Sequence, residues 1–310
     1  MSAIQKGLSV LLLLLCSAHF AFAQTYQKLS HQIDSLIEIG LPKSALNEAD
    51  KLDQLARKEK NVPMQIKAII YRMTFQSYIE ENAQVAIINR LRLDIEKATF
   101  PVKPVLQSIL AEMFNQYYRQ HRYEFSKRSR LEKPSADFTQ WDLVTLIHET
   151  AGLYKASLSD AKREQMTPVN VLDGILSGDK ETRHLLPTLY DFLFHRALLY
   201  LWTDEPSLIQ PKLAFSINDP RLFSDSRTFA NLSIPTSDTS SNYYIGFKYL
   251  QQATLFHLKK NDDEALACFD MNRLEFLKGK ATLPKKTRFI KPPFYKLPPH
   301  LQTNPSVQMP

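Results

Sequence analysis

Apolar side chains recur every three or four residues along most of the chain, as expected of helices that bury one face. The pattern is clearest in the segments 26–39, 44–60, 102–125, 187–202, 243–259 and 262–278, and further helices are predicted from residue 63, over 85–95 and after residue 141. No segment alternates apolar and polar residues as a half-exposed strand would. The pattern therefore predicts an all-α fold, an irregular array of antiparallel helix hairpins.

The last predicted hairpin has the packing residues of a tetratricopeptide repeat (TPR). Tyr249, Phe256, Ala265 and Phe269 fall at the offsets where such a repeat places its aromatic, aromatic, small and aromatic residues. The first hairpin matches more weakly, and the middle helices keep no 34-residue period. The array is therefore predicted to be TPR-like in places, and ordinary helix-hairpin packing explains the same pattern equally well.

Two stretches break the helical pattern. Residues 204–240 hold several prolines among many Ser, Asp and Asn residues, which predicts a long irregular loop. Residues 280–310 are rich in proline and lysine, which excludes a continuing helix and predicts an extended or disordered tail. The predicted organisation is a leader over 1–23, a helical TPR-like domain over 24–279 and the basic tail over 280–310.

Glycine is scarce, with seven residues in 310, and the seven stand apart from one another. The GxGxxG and P-loop motifs need clustered glycines for close approach to phosphate groups, so the sequence contains neither. These classes of nucleotide-binding enzyme are excluded, and no cofactor is expected.

The formal net charge of +7 lies at the two ends of the chain. Lys6 is the one charged residue before residue 24, and residues 280–310 carry six Lys or Arg residues and no acid. Residues 24–279 are consequently electroneutral. A nucleic-acid-binding domain would carry its positive excess on a folded face, so no nucleic-acid partner is expected. Membrane contact is expected to be peripheral at most, through the tail.

The N-terminus has the pattern of a secretory signal peptide. Lys6 precedes the apolar run 8–15, and an Ala-Phe-Ala motif follows before Gln24, which predicts cleavage between Ala23 and Gln24. An acylated Cys16 is disfavoured because the residue before it is a bulky leucine. The apolar run is also too short to span a bilayer. We therefore expect export to the periplasm or cell envelope, or secretion.

Candidate catalytic and metal-binding residues lack the partners that such chemistry needs. His148 begins a His-Glu pair like that of zinc proteases, but Gly152 stands where the second histidine would be. His195 lies one turn after Asp191 with no nucleophile or metal-ligand cluster, so a structural polar contact is expected. Cys268 has apolar neighbours at helical spacing and is expected to be buried. No catalytic or metal-binding residue is predicted, and the protein is not expected to be an enzyme.

Residues 117–130 interleave aromatic and basic side chains. The pattern fits either aromatic packing beside solvated Arg and Lys side chains, or a polar interaction surface. Stacking on single-stranded nucleic acid is disfavoured by the predicted export. The candidate interaction surface comprises Tyr117, Tyr118, Arg119, Arg122, Tyr123, Lys127 and Arg128.

Several short segments carry a family resemblance. They are Gly-Leu-Pro-Lys-Ser-Ala-Leu at 40–46, Ala-Ile-Ile-Tyr-Arg-Met at 68–73, Phe-Pro-Val-Lys-Pro-Val-Leu at 100–106, Tyr117-Tyr118 with Arg122, Trp-Asp-Leu at 141–143, and Leu-Pro-Thr-Leu-Tyr-Asp-Phe-Leu at 186–193 with His195-Arg196-Ala197. In this order and spacing they resemble the N-terminal helical region of large exported bacterial alpha-2-macroglobulin-family proteins. The resemblance covers roughly residues 24–279.

The resemblance implies a scaffold rather than an inhibitor. Family members are several times longer and trap proteases through β-sandwich domains, a cleaved bait region and, in many, a Cys-x-Glu-Gln thioester. This chain has no β-rich pattern, and Phe-Asp-Met follows Cys268, so no inhibitory residue is carried over. An exported, non-enzymatic scaffold that contacts a protein partner, such as a macroglobulin-like core, is therefore expected.

Two alternatives to this scaffold stay open. The loss of helical pattern near Lys280 also fits a truncated remnant without independent activity. The basic tail, in turn, fits an envelope-associated module that binds anionic surfaces.

Overall fold

The fold is all-α, as predicted. The structure, a computed structural model, describes residues 24–130, 132–133, 135–177, 179–203 and 214–284. Within these ranges the regular elements are α-helices and short 3-10 turns, with no β-strand. An isolated bridge joins Pro168 to Thr188 there.

The helices follow the hydrophobic pattern closely. They are α1 (24–38), α2 (Pro42–Lys58), α3 (Val62–Ile79), α4 (Ala83–Lys97), α5 (Val102–Gln120), α6 (Arg122–Lys127), α7 (Leu143–Ala156), α8 (Ala161–Met166), α9 (Leu189–Leu201), α10 (Ser226–Ala230), α11 (Asn242–Lys260) and α12 (Asp263–Lys280). The chain divides into two compact units between Arg90 and Leu91. This boundary lies inside α4, where the hydrophobic pattern gives no sign of it.

The first unit is built on the pairing of α2 with α3. Ala45, Ala49 and Ala68 are fully buried in it, and their small side chains allow helices to approach closely. Ile33 of α1 and Phe75 of α3 belong to the same apolar core. The first unit thus has an apolar core to which α1, α2 and α3 all contribute.

Gly40 ends α1, and Ser44, which lies near the start of the next helix, is not its cap. Gly40 has a φ of +74°, and its N–H donates to the carbonyl of Ile37 at 2.9 Å. Ser44 does not cap α2, because that helix begins earlier, at Pro42, with Leu41 in the N-cap position. Proline suits the first position of a helix since its missing N–H would have no partner there.

The helix predicted over 102–125 is two helices. α5 ends at Gln120, and α6 begins at Arg122. The break brings the ring of Phe125 to 6.0 Å from that of Tyr117, which lies eight residues earlier. On one continuous helix the two residues would be about 12 Å apart along the axis. Buried aromatic packing therefore outweighs the continuity of the backbone hydrogen bonds.

In the second unit, α5, α7 and α9 pack against one another, and α9 also contacts α8 and α11. The helices predicted over 187–202, 243–259 and 262–278 correspond to α9, α11 and α12 and are confirmed. Gly246 of α11 permits a close approach, since a Cβ at this position would lie 2.3 Å from Trp202 Nε1. The Trp202 ring stacks on Phe276 of α12 with centroids 3.9 Å apart.

The described part of the predicted loop 204–240 contains short helical elements. A 3-10 turn spans Pro220–Phe223, and α10 follows it. Beyond α12, the start of the predicted tail packs on this region, because the N–H of Thr282 donates to the carbonyl of Ile217 at 3.0 Å. Residues 285–310 of the tail lie outside the described residues.

Candidate functional site

A groove of about 460 Å³ runs along α11. We call it the α11 groove; its lining includes Gln165 of α8, Ala230 of α10, and Lys248, Tyr249, Gln252, Phe256 and Lys259 of α11. Residues 248, 252, 256 and 259 are spaced three or four apart, which places them in one stripe along the helix. The groove is therefore largely one face of α11, bordered by α8 and α10.

α11 holds this face in place through its opposite, buried side. Phe247, Leu250 and Ala253 are buried and attach the helix to the core of the second unit. The Ser241 hydroxyl caps the start of the helix, and Asn261, with a φ of +54°, ends it. The Ser241 cap and the Asn261 turn define where α11 begins and ends. They therefore also define the length of its exposed stripe.

Gln251 connects the groove to the segment around α10. It is buried, and its Nε2 donates to the carbonyls of Phe229 and Leu232, each at 2.8 Å. Its Oε1 accepts a hydrogen bond from Lys248 Nζ at 2.8 Å. One amide thus fixes the end of α10 against α11 and orients a lysine at the rim.

Glu164 of α8 is buried beside the groove. It is 1% exposed; its Oε1 accepts from the N–H of Asp160 at 3.2 Å, while its Oε2 has no hydrogen-bond partner among the described residues. Burial raises the pKa of Glu164 to about 7. Burial and the nearby Glu164 also raise the pKa of Tyr249, a groove residue. The carboxyl group is therefore only partly charged near neutral pH.

Replacing Glu164 with glutamine is expected to stabilise the protein at alkaline pH and to change little at acid pH. A carboxyl group whose pKa is raised by folding contributes fully below its unfolded pKa of 4.5, and the contribution is lost as the pH rises through about 7. Glutamine keeps an acceptor for Asp160 and does not ionise. Free energies of unfolding from urea titrations at about pH 5 and pH 9 measure the effect. An equal difference at both pH values would contradict it.

A buried histidine anchors the C-terminal end of α11. His257 Nε2 lies 3.0 Å from Asp191 Oδ1, and its Nδ1 lies 3.0 Å from Asp262 Oδ2. Asp191 forms a capping box with Thr188 at the start of α9, and Asp262 accepts from Ala265 N–H at the start of α12. One imidazole ring therefore joins the end of one helix to the beginnings of two others.

The His257 cluster has the chemistry of a structural contact. Burial alone would lower the pKa of His257, but Asp191 and Asp262 outweigh this effect and raise it. A charged imidazole ring can donate to both carboxylates at once. Cys268 is buried as predicted, and burial followed by the charge of Asp191 raises its pKa to about 11, which makes the thiol a poor nucleophile.

His148 and His195, the other histidines considered in the sequence, lie outside the His257 cluster. His148 is exposed on α7. The polar contact expected near His195 does not involve Asp191, which pairs with His257 instead. Burial, followed by the charge of Arg196, lowers the pKa of His195 to about 4. Among the described residues, no group of three or more His, Cys, Asp or Glu side chains could hold a metal ion.

The structure separates the seven residues of the candidate surface in 117–130. Tyr117 and Tyr118 are buried and do not lie on a surface, because they pack in the aromatic core of the second unit. Arg128 donates to the carbonyls of Thr139 and Trp141, each at 2.7 Å, and so has a structural role. The exposed members are Arg119, Arg122, Tyr123 and Lys127. Binding at these four stays a prediction.

Two of the four TPR-like residues are buried, and the other two are half-buried. Ala265 and Phe269 are buried, as a packing role requires, whereas Tyr249 and Phe256 are half-buried in the α11 groove. Sequence reasoning found these two aromatic residues but assigned them to packing. It missed Gln165, which comes from a short helix far away in the chain and carries no signal of its own.

The predicted leader lies outside the described residues. Ala23 falls in the part that is not described, and Gln24 begins the described part, in α1. None of the helices in the described ranges is long and apolar enough to cross a membrane. Export and the cleavage site therefore stay predictions.

Comparisons with protein-family models, with curated proteins and with solved structures find no match for this chain. The resemblance to alpha-2-macroglobulin-family proteins accordingly rests on the sequence segments alone. It stays a prediction.

Proposed function

We propose that this chain is an exported, non-enzymatic helical module that binds a protein partner through the α11 groove. The observation that carries the proposal is the half-buried pair Tyr249 and Phe256, which lines a groove together with amide and ammonium groups. Aromatic residues are enriched at the centres of protein interfaces, and polar residues form their rims. A docked chain would bury the rings and pair the polar groups.

The sequence resemblance supports the same function. The N-terminal helical region of a macroglobulin-family protein would contact the remaining domains, so a macroglobulin-like core is the partner that the resemblance suggests. The signal-peptide pattern would bring both proteins to the same compartment. Protease trapping itself is not proposed for this chain.

A comparative capture experiment tests the proposal. Cells express the full chain, the purified protein is immobilised, and proteins retained from an envelope extract are identified by mass spectrometry. The double variant Tyr249→Ala/Phe256→Ala is expected to lose a protein that the wild type retains. Tyr78→Ala is the matched control, because Tyr78 is an exposed tyrosine of the first unit.

The outcomes separate the competing functions. Equal capture by the wild type and the groove variant would contradict a role for the groove, and loss in Tyr123→Ala would instead assign binding to the exposed part of 117–130. Empty beads with protein shown to be helical by circular dichroism would contradict the proposal and favour a chain without independent activity. Each variant is checked for wild-type helicity before use.

A further inference from the structure

Resting on the proposed function, we infer that the α11 groove takes an extended, acidic peptide segment of about five residues. Charge is the first reason. Among the described residues that line the groove, the charged ones are Lys248 and Lys259, and both are exposed. The groove thus presents positive charge with no lining acid to offset it, which is complementary to carboxylate side chains.

The spacing of the two lysines sets the length of the segment. They are eleven residues apart on α11, which is about three turns, so they lie on the same face about 16 Å apart along the axis. An extended chain rises about 3.3 Å per residue and covers this distance in about five residues. The occupant should therefore carry an acidic side chain near each end.

Amide groups along the groove suit an extended backbone. The Nε2 of Gln165 has no hydrogen-bond partner among the described residues, although this residue lines the groove. Rotation of its terminal torsion would present a donor or an acceptor to a ligand, and Gln252 lies on the same stripe. An extended segment has free backbone carbonyl groups, whereas a helix uses its own internally. The groove accordingly favours an extended occupant over a helical one.

The middle of the segment should be apolar. Tyr249 and Phe256 are seven residues apart, about two turns, and lie between the two lysines. Glu164 is the acid that raises the pKa of Tyr249. Because burial raises the pKa of Glu164 itself to about 7, this carboxyl group is only partly charged near neutral pH. An aromatic or aliphatic side chain at the centre of the peptide would therefore pack on the two rings without a nearby full negative charge.

The tail of this chain does not fit these requirements. Residues 285–310 include Lys285, Lys286, Arg288, Lys291 and Lys296 and no acidic residue. Like charges at both rims of the groove would oppose its binding. We therefore assign the groove to an acidic segment of another protein rather than to the tail.

Fluorescence anisotropy with labelled peptides tests the inference on protein purified from cells that express the full chain. The acidic probe is Glu-Asp-Leu-Phe-Gln-Asp-Glu; the neutral probe has Gln and Asn in place of Glu and Asp, and the basic probe is the chain's own residues 284–300. The acidic probe is expected to bind most tightly and to weaken as salt is added. The double variant Lys248→Glu/Lys259→Glu should weaken it roughly tenfold. The control variant Lys97→Glu/Lys103→Glu changes two exposed lysines that do not line the groove and should leave binding of the acidic probe unchanged.

The outcomes distinguish this inference from the proposed function. Equal or tighter binding of the neutral probe would overturn the acidic preference while leaving the groove as a binding site. Tighter binding of the basic probe would make the tail the occupant and overturn the inference as well. No binding of any probe overturns the inference, and the capture experiment with Tyr249→Ala/Phe256→Ala then decides whether the groove binds proteins at all.

Discussion

Replacing Asp191 with asparagine is expected to lower the free energy of unfolding by about 3 kcal/mol near neutral pH. Asp191 is 0% exposed, and its carboxylate contacts His257, which is 1% exposed. Removing one partner of a buried ion pair leaves the other charge without compensation, which costs roughly 3–5 kcal/mol. We expect the lower end because Asp262 still contacts the imidazole ring.

Asparagine isolates the effect of charge. It keeps a side-chain oxygen that can accept the hydrogen bond from Thr188, so the capping box of α9 is only partly lost. Urea unfolding followed by tryptophan fluorescence measures the change, since both tryptophans, Trp141 and Trp202, lie in the second unit. Glu124→Gln is the control: Glu124 forms exposed ion pairs, which contribute about 0–1 kcal/mol.

The pH dependence distinguishes an ion pair from simple packing. Folding raises the pKa of His257, so its contribution is full below the unfolded value of 6.5 and is lost as the pH rises through the folded value. The cost of Asp191→Asn should therefore shrink as the pH rises above 6.5 into the alkaline range. A cost that stays constant over this range would show that His257 is not charged in the folded protein.

Asp270→Asn is expected to destabilise the second unit by about 4 kcal/mol. Arg273 is 1% exposed, and its Nη2 lies 2.7 Å from Asp270 Oδ1 and donates to the Ser224 carbonyl at 2.6 Å. Its Nε and Nη1 have no partner among the described residues. Loss of the carboxylate would leave a buried guanidinium group with even fewer compensating contacts, because arginine cannot release its proton.

A double variant tests this explanation. Asp270→Leu/Arg273→Met removes both charges and replaces them with apolar groups, which is often neutral or stabilising at buried ion pairs. It should be more stable than Asp270→Asn in the same urea titration. If the double variant is less stable than the single one, the packing of Arg273 on Phe229, with the guanidinium carbon 4.1 Å from the ring centroid, outweighs the cost of its charge.

Hydrophobic spacing alone predicted most of the helices, because a helix in a small protein must bury a stripe of side chains three or four residues apart. α9, α11 and α12 follow directly from it. The break after Gln120 could not be predicted this way. It depends on Phe125 meeting Tyr117, a contact that local spacing does not describe.

The α11 groove was also only partly predictable from the sequence. The sequence places Lys248, Tyr249, Phe256 and Lys259 on one face of α11 by helical spacing alone. That this face stays open was decided by the packing of α8 and α10, whose Gln165 and Ala230 border it. A stripe of apolar residues indicates that a helix has a face to bury, but only its neighbours determine how completely that face is covered.

The partners of the buried charged side chains could be predicted least from the sequence, because tertiary structure selects them. Within a helix, the sequence suggests pairs one turn apart, and Asp191 with His195 is such a pair. In the folded protein Asp191 pairs with His257, 66 residues away, and Ser226 donates to Asp270 across 44 residues. The sequence determined which helices form and which residues share a face. The packing of those faces against one another selected the partners, because a buried charge must be paired by whichever residue the neighbouring helix brings to it.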